Sequence, residues 1–87
     1  MSEPQYFDTI AKNKAEDVRV ALDAYYGIDL IDVRTWRDVR GDDGEIVRVP
    51  SKKGISLKVA ELPALIAALT AARNEAVRRG LLTEASI

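Results

Sequence analysis

At 87 residues the chain is long enough for one domain, near the lower size at which a single hydrophobic core sustains itself. Thirteen basic residues face fourteen acidic ones, so net charge gives no general pull toward nucleic acid or membrane. With no cysteine and no histidine, disulfides, thiolate metal sites, zinc sites and histidine-based catalytic triads lack their parts.

Residues 1–9 are polar, carry Pro4 and are expected to form a flexible leader, with Tyr6, Phe7 and Ile10 at most opening an edge strand. No basic segment followed by an apolar run opens the chain, and no stretch reaches the roughly 18 apolar residues of a membrane span. The expected location is therefore cytoplasmic (nucleoid-associated in a bacterium, nuclear in a eukaryote). Lys12-Asn13-Lys14 reads as a turn. Val18, Val20 and Leu22 then alternate with Arg19, Ala21 and Asp23, the period of a half-buried strand. Tyr25-Tyr26-Gly27 ends it in a tight turn.

Ile28 to Arg37 is the strongest strand, with Ile31, Val33 and Thr35 on one face and Leu30, Asp32, Arg34 and Trp36 on the other. The aliphatic face is expected to meet a helix, and the mixed face to stand partly exposed. Asp42-Asp43-Gly44 is a turn, and Glu45 to Val49 returns as a strand that Pro50-Ser51 breaks. Lys52-Lys53-Gly54 is read as a basic turn leading into a short strand, Ile55 to Leu57.

From Ala60 to Arg79 the period becomes helical, with Leu62, Leu65, Ile66 and Leu69 recurring on one face. Pro63 fits the first helical turn and Gly80 the stop. Ala64, Ala67, Ala68, Ala71, Ala72 and Ala76 have two readings: plain helix propensity, or a second face that lets another helix approach closely. The domain is expected over 10–80 and a tail over 81–87.

The strand Leu30-Ile31-Asp32-Val33-Arg34 with its following aromatic, the Asp43-Gly44-Glu45 turn, and Lys52-Lys53-Gly54-Ile55-Ser56-Leu57 entering a helix resemble the positive cofactor four family of transcriptional coactivators. The resemblance covers about residues 10–72. It implies an α+β fold in which a four-stranded, curved antiparallel sheet precedes one long helix (β-β-β-β-α). It further implies a homodimer through the helices, here Leu65, Ile66, Leu69 and Ala72, and a groove for single-stranded DNA. Tyr25 matches a base-stacking aromatic, Arg34 the arginine of its strand, and Lys52, Lys53 and Gly54 the basic turn beside the groove. The chain departs from the pattern where Tyr26 and Ile28 flank the first-turn glycine in place of lysines. It departs again where Trp36-Arg37 replaces a pair of aromatics.

Single-strand binding needs rings for stacking and cations along the backbone path. Trp36, Tyr25 and Tyr26 offer the rings; Arg34, Arg37, Arg48, Lys52 and Lys53 offer the charge. Each has a plainer reading: Trp36 as core packing, Arg34 as the ion-pair partner of Asp32, the lysines as a solvated turn. Asp32, Asp42, Asp43 and Glu45 lack calcium-loop spacing and carry turn composition, so no metal is expected. No phosphate cradle or nucleophile elbow is present, so neither catalysis nor a cofactor is expected. The expected function is sequence-independent binding of single-stranded DNA by a coactivator-like homodimer. RNA as the natural strand and contact with transcription machinery remain open to it. The rival reading is a dimeric protein-interaction module on the same scaffold.

Overall fold

The computed structural model describes residues 3–83. Its strands are β1 (Gln5–Asn13), β2 (Glu16–Tyr25), β3 (Ile28–Arg40) and β4 (Ile46–Lys58), followed by a 3-10 turn, Val59–Glu61, and helix α1 (Leu62–Arg78). The strands form one antiparallel, curved sheet in the order β1-β2-β3-β4, a plain meander. The expected β-β-β-β-α order is therefore present, but two of its strands are not those read from the sequence.

The first difference is at the N-terminus. Gln5 to Asn13 pairs with β2 along its length, so the strand starts ahead of the expected domain boundary at Ile10. A register shift between Tyr6 and Asp8 breaks the two-residue period that would have revealed it. The second difference is in β4, which continues through Pro50 where a break was expected. Pro50 pairs with Trp36 and Gly54 with Arg34, so Ser51, Lys52 and Lys53 stand opposite Thr35 alone. The segment is a bulge within one strand and not a turn between two. Ser51 fastens it: its hydroxyl donates to the Thr35 carbonyl at 2.8 Å and accepts from the Lys53 N–H at 3.1 Å. The excess residues push Lys52 and Lys53 out of the ladder, and both are exposed.

The tight turns follow local chemistry. Tyr26 (φ 51°) and Gly27 (φ 78°) form the two-residue link between paired Tyr25 and Ile28. Positive φ at both places is the type I′ pattern that suits the strand twist. Pro63 stands in the first turn of α1. At the far end Gly80 (φ 77°) donates to the Val77 carbonyl and Leu81 to the Ala76 carbonyl, closing the helix with a Schellman motif.

Alternation gives the sheet two unlike faces. Val20, Leu22, Ile31 and Val33 share one with Leu62, Leu65, Ile66 and Leu69 of the helix, around an apolar cleft of about 580 Å³. Among the described residues the buried apolar side chains are Ala21 and Ile31, while Ile66 is 55% and Leu69 61% exposed. The chain has an accessible surface of 6863 Å², against roughly 5,100 Å² for a compact monomer of its mass. Its radius of gyration is 15.8 Å, where a compact domain of this length has about 12 Å. One copy leaves its apolar face uncovered.

A Cβ at Gly54 would lie 2.6 Å from the Val33 carbonyl oxygen and 2.7 Å from the Arg34 Cα, so β3 and β4 approach only because that position is bare. Gly54→Ala is expected to destabilise the fold by about 1–3 kcal/mol through backbone displacement. A lowered urea midpoint checks this, and an unchanged midpoint contradicts the close-approach account.

Candidate nucleic-acid interface

The second face of the sheet carries the rings and charges. Leu30, Asp32, Arg34 and Trp36 of β3 lie there, flanked by Asp23 and Tyr25 of β2 and by Ser56 and Pro50 of β4. Tyr6 of β1, in register with Ala21, leans across from the other side. Together these side chains line an open cleft of about 450 Å³. Tyr6 was not among the residues singled out from sequence, because the shift in β1 hides which face it takes.

Trp36 is held in place by its neighbours. The Tyr6 ring meets it edge-on with centroids 5.7 Å apart, and the Arg19 guanidinium carbon lies 4.1 Å from its ring centroid. Each contact adds order to a ring that remains partly exposed, by about 0.5–1 kcal/mol for a cation–π pair at such a site. Arg19 is in turn fixed by Asp17, which accepts from its Nε at 2.9 Å.

Asp17 is the anchor of this face. It is 5% exposed and also accepts from Arg48 Nη1 at 2.7 Å. Arg48 donates further to Asp38 at 2.6 Å and to the Lys14 carbonyl at 3.0 Å. One network thus links β2, β3, β4 and the β1–β2 turn. The Arg19 hydrogen bond, reinforced by Arg48, holds the Asp17 carboxyl below its ordinary value against the opposing effect of burial. The Arg48 guanidinium, read from sequence as a phosphate cation, is here engaged as a tie between strands.

Arg34 is similarly committed. Its Nη2 donates to Asp32 at 2.9 Å and its Nη1 to the Ser51 carbonyl at 3.1 Å, so it also braces the lysine bulge. The plainer reading of Arg34, an ion pair with Asp32, is present. Arg37 follows Trp36 in an extended strand, pairs with Glu16 and Val49, and lies on the opposite face by alternation. Trp36 and Arg37 do not share the cleft. Lys52 and Lys53 stand exposed beside the Pro50 end of it. Tyr25 and Tyr26 meet edge-on at the hairpin tip, 4.5 Å between centroids, 60% and 82% exposed. For Tyr26 that position means a left-handed backbone, which costs a side-chain-bearing residue roughly 1–2 kcal/mol.

The family model for the transcriptional coactivator p15 (PC4) matches residues 12–68. The chain belongs to the PC4 family. Among solved structures, a PC4 homologue from Burkholderia pseudomallei superposes with a TM-score of 0.68 at 25% identity, over 82% of this chain and 98% of that one. MoSub1, solved as a complex with DNA, gives a TM-score of 0.60 at 26% identity, over 88% of this chain and 86% of that one. The bacteriophage T5 homologue of PC4, implicated in recombination-dependent DNA replication, shares the fold at 19% identity, with a TM-score of 0.62 over 92% and 90% of the chains. No match was found among curated proteins.

The Asp17 network makes a pH prediction. A carboxyl whose folded pKa is depressed stabilises the fold fully above its unfolded value, about 3.9, and progressively less as pH falls through the folded value. Asp17→Asn is expected to lower the urea midpoint at pH 7 and to flatten the loss of stability below about pH 4. It should also change Trp36 fluorescence, because Arg19 loses its anchor. An unchanged midpoint and emission spectrum would contradict the role given to Asp17.

Proposed function

We propose that this PC4-family chain acts as a homodimer that binds single-stranded DNA on the aromatic-lined sheet face, as a coactivator-like protein. The observation that carries the reading is the cleft in which Tyr6, Tyr25 and Trp36 surround a strand-wide opening, with the Lys52-Lys53 bulge beside it. Rings spaced along a groove stack on bases of any identity, each worth about 1–3 kcal/mol, while lysines neutralise the backbone. The DNA complex of the relative MoSub1 supports DNA as the partner.

In this reading the bases enter and the phosphates stay outside. Arg34 is neutralised by Asp32, so its part is to brace the bulge and hold the cleft floor. Lys52 and Lys53 are the cations free to follow a phosphate path, Arg37 stands apart from it on the opposite face of the sheet, and Gly54 allows the strands to close. Tyr26, kept in a strained backbone at an exposed tip, extends the stacking row beyond Tyr25. Arg48 contributes through the network it ties together.

Pairing follows from the uncovered surface. Two copies together expose roughly 3,600 Å² more than two compact monomers of this mass, within the roughly 2,000–5,000 Å² that homodimer interfaces bury in total. Leu65, Ile66, Leu69 and Ala72 on α1 present the apolar surface through which two copies join, which would set two clefts side by side.

Titration of a labelled 20-mer of poly-dT against a duplex competitor tests the reading. The single strand is expected to bind preferentially, with log K falling against log salt at a slope of about −2 to −4 for three to six neutralised phosphates. Trp36→Ala should weaken binding about 5- to 150-fold, the equivalent of one stacked base. Unchanged affinity in Trp36→Ala would overturn the stacking role. Absence of binding at low salt would favour the protein-interaction module, and a tighter poly-U complex would make RNA the strand.

A further inference from the structure

The cleft has a charge feature that phosphate neutralisation does not use. Its floor contains Asp23, Asp32 and Arg34. Asp32 and Arg34 satisfy each other at 2.9 Å. Asp23 has no such partner: one carboxylate oxygen accepts from the Ala24 N–H at 2.7 Å, and among the described residues it forms no ion pair. Lys58, two strands away across Leu30, makes no bridge to it. Asp23 is thus the unpaired carboxylate at the Tyr25 end of the groove, opposite the lysine bulge.

A half-buried carboxylate between stacking rings repels a phosphate and accepts hydrogen bonds from whatever lies there. It can only accept. Guanine presents two donors, N1–H and N2–H, on one edge, matched to the two oxygens of a carboxylate. Thymine and uracil present one N–H flanked by two carbonyl oxygens, which face a carboxylate with like partial charge. Cytosine and adenine offer an amino group beside an acceptor and fall between.

We propose that Asp23 is a specificity determinant that makes the groove favour guanine over thymine or uracil at the Tyr25 end. This rests on the single-strand reading and narrows it, since stacking alone is indifferent to base identity. The Asp23 side chain sits within reach of a base stacked on Tyr25, its strand neighbour on the same face. Its hydrogen bond to Ala24 fixes the carboxylate orientation and takes one lone pair of one oxygen, so both oxygens can still accept from a base.

The test compares two labelled 16-mers, all-thymine and the same strand with guanine at every fourth position, a spacing that avoids quadruplexes. Wild-type protein is expected to bind the guanine strand at least about fivefold more tightly, the lower bound for a good bidentate base contact. Asp23→Asn, whose amide oxygen can keep the Ala24 hydrogen bond, should reduce that ratio below about twofold, because one of the two acceptors becomes a donor. Asp23→Glu, which keeps the charge, should retain a preference for guanine, and circular dichroism confirms that the variants fold. Equal binding of the two strands by wild type, or an undiminished ratio in Asp23→Asn, overturns this inference alone. Failure of wild type to bind either strand overturns the single-strand reading along with it.

Discussion

Everything in this molecule follows from a sheet whose two faces want different surroundings. Alternation along β2 and β3 places Val20, Leu22, Ile31 and Val33 on one side and Asp17, Arg19, Asp32, Arg34 and Trp36 on the other. The apolar side and the Leu62–Leu69 stretch of the helix enclose a cleft that one chain does not fill. Hydrophobic burial is the dominant favourable contribution to folding, and here much of the available apolar area remains in contact with water. A second copy laid against that face would close it, and would leave the charged face free.

The charged face is kept open by polar ties in place of a core. Asp17 binds Arg19 and Arg48, Arg48 binds Asp38, and Arg34 binds Asp32 and the Ser51 carbonyl. Among the described residues no buried side-chain polar atom lacks a partner, so the network is complete, which is the condition under which partly buried charge is tolerable. Its consequence is that most guanidinium groups of this face are occupied. The rings of Tyr6, Tyr25 and Trp36 are left as the available surface, with Lys52 and Lys53 as the available cations. The basic residues thus fall into two groups, arginines tied to carboxylates and lysines held clear of the ladder.

Much of the architecture was legible because it rests on period and punctuation. The β2 and β3 alternation, the Tyr25-Tyr26-Gly27 turn, Pro63 at the helix start and Gly80 at its stop all stand where the residues imply. The family resemblance, carried by Leu30 to Arg34 and by Lys52 to Leu57, agrees with the match over residues 12–68. What was illegible has a common cause in strand irregularity. The shift after Tyr6 scrambles the pattern of β1, and the bulge at Ser51–Lys53 lets β4 absorb a proline that reads as a break. Tyr6 and Arg19 reach Trp36 from other strands, a proximity set by register and invisible to local spacing. The engagement of Arg48 by Asp17, thirty-one positions away, is of the same kind.

Whether the uncovered apolar face is closed by a second copy is decided most directly by the solution mass from sedimentation equilibrium at micromolar concentration. Closure by a second copy predicts a single species of twice the 9.6 kDa chain mass. It also predicts a urea midpoint that rises with protein concentration, because folding and pairing are linked. A folded 9.6 kDa species with a concentration-independent midpoint would contradict it, and would mean that the face is stable in water without a partner copy.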